Sequence, residues 1–285
     1  MGRVLAAACR GAMWRSSLVL QVWAMSAMFA LAFSLSAGHW LDLALDSSLA
    51  TATLLRDLDA NVLIELWRYH RESLAQLFVI ALLLVLTNVA LGIGLNAGLA
   101  GTTQDPGVAV LPREFWRRGF ALYPVCARLW GLATAIVIVA LAAITITARL
   151  LVRWLSESPS EMPYYYIHGT ALVLAGALLI GLVTVHDHAR IYAARRGVGA
   201  LRAYRWAWWF VTRGDARAPL LAVALLLSGG LVWLVYQSLA ALLPATTTFG
   251  MNLSLLWGQV FLLARAFLRV ATFVAESELQ IELPE

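Results

Sequence analysis

The sequence is poor in charged residues and contains no lysine. Only 13% of its 285 residues are charged, about half of the roughly 25% that is usual in a soluble domain, whereas 61% are hydrophobic. A chain of this length cannot bury so much apolar surface in one core, and it lacks the polar residues to cover such a core. The composition therefore excludes soluble, disordered and collagen-like classes and predicts an integral membrane protein.

Cysteine is also scarce, which excludes a disulfide scaffold. Cys9 and Cys126 are the two cysteines, and neither belongs to a CxxC pair or stands beside clustered histidines, so we expect both to be single reduced thiols. No glycine-rich loop of the GKS or GKT kind occurs, and there is no lysine to complete one. The sequence therefore predicts no nucleotide hydrolysis by a phosphate-binding loop.

The basic residues are all arginine, 21 of them against 16 acidic residues, for a net charge of +5. A GC-rich genome explains the loss of every lysine more simply than a need for bidentate anion recognition. We interpret the basic balance as the charge asymmetry of membrane loops and not as a nucleic-acid surface.

Six stretches have the length and composition of membrane spans, each with the roughly 20 mostly apolar residues that a bilayer-crossing helix needs. They are residues 18–38, 74–99, 125–151, 167–185, 220–243 and 252–274, within a few residues. The first is too long for a signal-peptide core and has no clean cleavage site, which indicates a retained signal anchor. The predicted fold is an all-α polytopic membrane bundle, one domain over residues 1–285 that ends in a short acidic tail at 275–285.

Arginine is concentrated on one side of these spans. With six spans, the N-terminal tail and the second and fourth connections lie on the same side and hold 14 arginines, against 5 in the opposite connections. Because cytoplasmic loops carry the excess of positive charge, we expect a multi-pass protein of the bacterial inner membrane with both termini in the cytoplasm.

Amphipathic segments lie between the spans. Apolar residues recur at helical spacing over about 54–72, which predicts a helix on the outer face, either a bridge between two spans or a docking surface. Basic and aromatic residues mix at 115–120 and again at 204–210, and Trp14 and Arg15 precede the first span. This pattern predicts interfacial helices against anionic headgroups and three repeated helical hairpins of one plan.

Two local patterns raise the question of a site. His186, Asp187 and His188 have ligand chemistry, but residues two apart on a helix point about 200° apart, and nothing nearby completes the set. We therefore predict no metal, no cofactor and no catalytic residue. Ala90, Gly94 and Gly98 are small residues four apart, which predicts close helix packing.

An intramembrane ion pair is predicted between the fourth and sixth spans. Arg265 and Arg269 lie inside the sixth span, where an unpaired charge costs roughly 2.5–3.5 kcal/mol on insertion scales. Asp187 is the only acid at the inner end of an earlier span, and pairing is the usual remedy. We expect Asp187 to pair with one of the two arginines; the alternative is that both extend to lipid phosphates.

The chain resembles a group of uncharacterised bacterial six-span proteins. The shared features are a glycine-rich end of the second span, an aromatic-basic inner helix, an Asp-x-Ala-Arg motif at the end of the fourth span, and an arginine in the last span. The matching residues are Gly92, Gly94 and Gly98, the segment 115–120, Asp187, Ala189 and Arg190, and Arg265 with Ala275 and Ser277. The resemblance implies the six-span fold and no known activity.

These features favour a non-enzymatic component of the inner membrane that is structural, acts in assembly, or binds lipid. Its expected partners are anionic headgroups at the cytoplasmic face and a protein partner or a second copy of the chain. The alternative is a transporter or permease subunit for a small or lipidic solute, which would need polar groups near the middle of the membrane. The candidates for such groups are Gln21, Asn88, Gln237, Gln259 and Arg265.

Overall fold

The computed structural model describes residues 2–45, 68, 71–104, 110–155, 162–214, 216–243 and 248–281. Over these residues the chain is almost entirely helical and has no strand. A short π-helix, Phe210–Gly214, extends the sixth α-helix. The α-helices are α1 Gly2–Trp14, α2 Ser16–Leu45, α3 Arg71–Thr102, α4 Pro112–Trp154, α5 Met162–Arg196, α6 Ala200–Trp209, α7 Arg217–Ala240 and α8 Thr248–Ile281.

Six of these helices, α2, α3, α4, α5, α7 and α8, are long and apolar enough to cross a membrane, so the predicted all-α class with six spans is confirmed. Large apolar side chains stand exposed along them; Leu172 and Val173 on α5, for example, are 74% and 71% exposed. Continuous exposure of this kind suits a lipid environment and not water. The architecture is that of a multi-pass membrane protein.

The third spanning helix is longer than predicted. The aromatic-basic segment at 115–120 and the span after it form one continuous helix of 43 residues, α4. Pro112 occupies its first turn, where a missing N–H costs no hydrogen bond. Pro124, one residue before the predicted start of the third span, lies inside α4, and a membrane helix of this length tolerates the loss of one backbone hydrogen bond.

The chain beyond residue 274 also differs from its prediction. Residues 275–281, predicted to belong to an acidic tail, continue α8 to Ile281, and most of their side chains are buried, including Glu276 at 3% exposure. These residues are helical and buried because α8 extends past the span and other helices pack against its end. The predicted outer helix at 54–72 lies mostly outside the described residues.

The helices form two compact units. One contains residues 21–92, with most of α2 and the first two thirds of α3. The other contains residues 1–20 and 93–285, and all the contacts described below lie within it.

Small residues build the core where α4, α5 and α6 meet. Alanines four apart on α5 and on α6 let these helices approach closely. Gly197 adopts φ +64° at the end of α5, and its N–H donates to the Ala193 carbonyl at 2.9 Å. Glycine adopts this left-handed conformation without strain, so the chain turns at once into α6. The buried core residues are Leu129, Val185, Ala189, Ala193, Ala203, Tyr204 and Ala207.

The N-terminal helix α1 packs against α8. Its buried residues Val4, Ala8 and Ala12 are four apart. Gly11 lies so close to α8 that a Cβ there would come within 2.8 Å of Val274 Cγ1. A larger residue at position 11 would require the Val274 side chain to shift, so α1 lies close against α8 here.

Candidate functional site

An ion cluster around a buried carboxylate joins α3, α5 and α8 near their carboxyl-terminal ends. It consists of Asn96 on α3, Asp187 and Arg190 on α5, and Arg269 on α8. The Asp187 and Arg190 side chains are only 3% and 7% exposed. A membrane span rarely carries such residues without a role, either in binding or in holding helices together.

Asp187 accepts hydrogen bonds from two guanidinium groups. Arg269 approaches it in a bidentate way, with Nη1 at 2.8 Å from Oδ2 and Nη2 at 3.1 Å from Oδ1. Arg190, one turn along α5, donates Nη1 to Oδ1 at 2.8 Å. Bidentate arginine–carboxylate pairs are among the strongest hydrogen bonds in proteins. The carboxylate therefore ties α5 to α8.

The other edge of the Arg269 guanidinium faces α3. Nε and Nη2 donate to Asn96 Oδ1 at 3.1 and 3.0 Å, and the guanidinium carbon lies 4.7 Å from the ring centre of Phe273. These contacts connect α3, α5 and α8 through one side chain. Of the two arginines predicted as partners, the structure pairs Asp187 with Arg269. Arg265 is exposed, with its guanidinium carbon 5.8 Å from the ring centre of Phe261.

The three residues of the His-Asp-His segment face different neighbours. His186 lies on the side of Tyr204 in α6, at 6.5 Å between ring centres. Asp187 faces Arg269, and His188 packs edge-on against Phe210 at 4.9 Å. The two histidines therefore do not converge on a common point, and no group of three metal-ligating residues occurs in the described part of the chain. Burial raises the pKa of Tyr204, which lies outside the spans.

A second polar layer lies beyond the ion cluster. Gln280 Nε2 is 3.1 Å from both His188 Nδ1 and the His188 carbonyl. Ser277 Oγ donates to the Val274 carbonyl at 2.9 Å and lies 3.3 Å from the Thr103 carbonyl. Glu276 is buried beside them, within electrostatic reach of Asp187 and both arginines. Sequence reasoning missed this layer because it assigned these residues to a tail.

Of the three small residues predicted to pack closely, Gly94 and Gly98 do so. A Cβ on Gly98 would come within 2.6 Å of the Phe115 ring, and one on Gly119 would come within 3.0 Å of the Gly94 carbonyl oxygen. Gly94 and Gly98 on α3 thus meet Gly119 on α4 in close backbone contact. Ala90 is exposed and belongs to the other unit.

A basic groove opens where α5 turns into α6 beside α4. Its volume is about 860 Å³. Arginines from α4, from the end of α5 and from α6 line it, and none of its described lining residues is acidic. The lining residues are Arg128, Leu132, Arg196, Gly197, Val198, Gly199, Ala200, Leu201 and Arg202.

The outer surface of α6 combines aromatic, apolar and basic side chains. Leu201, Trp208 and Trp209 are 74%, 48% and 54% exposed, and Arg202 and Arg205 stand exposed beside them. On its inner side, Trp206 stacks between Tyr192 and Phe210, at ring-centre distances of 4.0 and 4.9 Å. The stacking holds α6 in place and leaves its outer face open.

Neither the protein-family models, nor the curated proteins, nor the solved structures give a match to this chain.

Proposed function

We propose that the protein is a non-enzymatic component of a bacterial inner membrane that binds anionic lipid at the basic end of its helices. The observation that carries this proposal is the exposed surface of α6, where tryptophan and leucine alternate with arginine. Tryptophan favours the headgroup level of a bilayer. Arginine gains about 1 kcal/mol from each contact with an anionic membrane surface.

The packing of this region supports the same function. The alanine contacts and the Tyr192–Trp206–Phe210 stack give α6 a fixed position against α4 and α5. A helix held in this way presents its arginines without a large ordering cost on binding. A structural or assembly role is compatible with this surface, because bound lipid can form part of an assembly.

A transporter or permease subunit is the second candidate, and the ion cluster favours it. Ionisable residues inside spans often mark a solute path, and Asp187 with Arg269 is such a pair. In the lipid-binding function the same pair has a structural role, which joins three spanning helices. The lipid measurement below tests the first of these functions.

Single-cysteine labelling tests the proposed orientation. In a background without Cys9 and Cys126, Gly199→Cys lies at the exposed start of α6, and we expect an impermeant thiol reagent to reach it only in permeabilised cells. Ser48→Cys and Ser160→Cys, in the connections predicted outside, should react in intact cells. Labelling of Gly199→Cys from outside would contradict both the topology and the cytoplasmic placement of the basic surface.

Lipid retention tests the proposed function. The protein is reconstituted in nanodiscs with equal amounts of phosphatidylglycerol and phosphatidylcholine of matched chains, released, and analysed by native mass spectrometry. We expect retained phosphatidylglycerol to exceed phosphatidylcholine by about fivefold, which is the ratio for one arginine–headgroup contact. The preference should fall as salt rises, because the groups are exposed. Equal retention of the two lipids would contradict the proposal.

A further inference from the structure

We propose that the basic groove is a specific site for a lipid headgroup with two phosphates, such as diphosphatidylglycerol. The inference rests on the proposed function and names the lipid class and the place where it binds. It is carried by the groove between α4, the end of α5 and the start of α6, and not by the exposed surface of α6 as a whole.

The charge of the groove calls for more than one negative charge in its ligand. Arg128 on α4 and Arg202 on α6 reach it from two different helices, and no acidic residue lies in its described lining. The two arginines can each meet one phosphate. Guanidinium groups bind phosphate oxygens in a planar, bidentate way. Two phosphodiesters therefore match the groove better than one.

The size of the groove supports the same ligand. A phosphate has five heavy atoms and occupies on the order of 150 Å³ if each takes about the 30 Å³ of a water molecule. The groove of about 860 Å³ therefore has room for two phosphates and the glycerol between them.

The apolar part of the lining points to a lipid and not to free diphosphate. Leu132, Val198 and Leu201 share the groove with the arginines. Leu132 lies one turn beyond Arg128 along α4, in the direction of the apolar span. Acyl chains of a bound lipid would lie along this side while the headgroup meets the arginines. A free anion gains nothing from the leucines.

The groove is preformed by the core beneath it. Arg128 precedes Leu129 and Arg202 precedes Ala203, and both of these neighbours are fully buried. Gly197, with its left-handed conformation, places the end of α5 against the start of α6. The backbone positions of the arginines are therefore set before binding, which lowers the entropy cost of forming a specific site.

The test compares two variants that each lose two positive charges at the same end of the helices. The groove variant is Arg128→Gln with Arg202→Gln. The control is Arg113→Gln with Arg213→Gln, which removes two exposed arginines that lie outside the groove lining and outside the α6 surface. Because all four residues are exposed, we expect both variants to fold, and thermal unfolding in detergent verifies this. Each protein is titrated in nanodiscs with diphosphatidylglycerol and with phosphatidylglycerol, and separately with sodium pyrophosphate, by native mass spectrometry.

We expect the parent protein to bind one diphosphatidylglycerol per chain in preference to phosphatidylglycerol. The groove variant should bind it roughly 30-fold more weakly, as two lost arginine contacts imply, and the control within about twofold of the parent. Equal weakening in both variants would overturn the specific site and leave general binding of anionic lipid intact. Loss of all preference for anionic lipid in the parent would remove the proposed function as well. Tight binding of pyrophosphate, lost in the groove variant, would overturn the choice of a lipid.

Discussion

The Asp187→Asn variant will unfold in detergent at a markedly lower temperature than the parent protein. The carboxylate is buried and accepts hydrogen bonds from Arg190, which is also buried, and from Arg269, which is 32% exposed. Its neutral replacement leaves both guanidinium groups without the carboxylate that they bind. Removal of one partner from a fully buried ion pair typically costs about 3–5 kcal/mol, and the exposed part of Arg269 lowers the expected loss below that range. Asparagine keeps the size of the side chain, so the loss reports on charge and not on packing. Thermal unfolding followed by intrinsic tryptophan fluorescence measures it.

A double-mutant cycle with Arg269→Gln assigns the effect to the pair. Each single change should destabilise the protein, and the combined change should cost clearly less than the sum of the two. The matched control is Arg265→Gln, four residues earlier on α8, whose side chain is exposed and lies near Phe261. It should have little effect and should add independently to Asp187→Asn. Strict additivity of Asp187→Asn and Arg269→Gln would mean that the observed contact contributes nothing to stability.

The pairing of Asp187 with an arginine of α8 could be predicted because depth in the membrane is a linear function of sequence. Residues of two spans at the same distance from one boundary are potential neighbours, and few charges compete there. Depth alone did not decide between Arg265 and Arg269. That choice depends on the rotation of α8 about its axis, which is set by packing with α1 and α5 and by the contact of Arg269 with Asn96.

Local contacts in the same cluster were overlooked for a different reason. Arg190 follows Asp187 by three residues, a spacing at which side chains on a helix meet, so this contact was within reach of the sequence alone. Glu276 and Gln280 were assigned to a tail because hydropathy falls at that point. A helix can extend past the apolar stretch when another helix packs against it, as α1 packs against α8. A hydropathy profile does not reveal that packing.

The close contact of α3 with α4 also could not be predicted from the sequence. Gly94 and Gly98 mark one helix as a packing surface, but the partner residue Gly119 stands alone in its sequence, with no small residue four positions away on the same face. Its role appears only when the two backbones are placed together. The separation of the basic-aromatic segment from the third span was wrong for a related reason, because Pro124 resembles a helix start but lies in the interior of α4.

Gly119→Leu should destabilise the protein strongly and separate α3 from α4. The Cβ alone would lie 3.0 Å from the Gly94 carbonyl oxygen and 3.4 Å from the Gly98 Cα, and these backbone atoms cannot move without shifting α3. A leucine adds four heavy atoms at a site that has no room for them, and overpacking of this kind costs typically 1–3 kcal/mol, sometimes more. A shift of α3 would also weaken the Asn96–Arg269 contact, so the loss should reach the ion cluster.

The control for this change is Gly131→Leu, on the same helix. Gly131 is exposed and a Cβ there would meet no atom within 4 Å. Glycine in a helix interior is up to about 1 kcal/mol less stable than a good helix former. Gly131→Leu should therefore leave the thermal unfolding temperature unchanged or raise it. Gly119→Ala gains the same propensity but adds a Cβ at the tight contact, and it should lie between the two. If Gly119→Leu were as stable as Gly131→Leu, the close approach of α3 and α4 would be disproved.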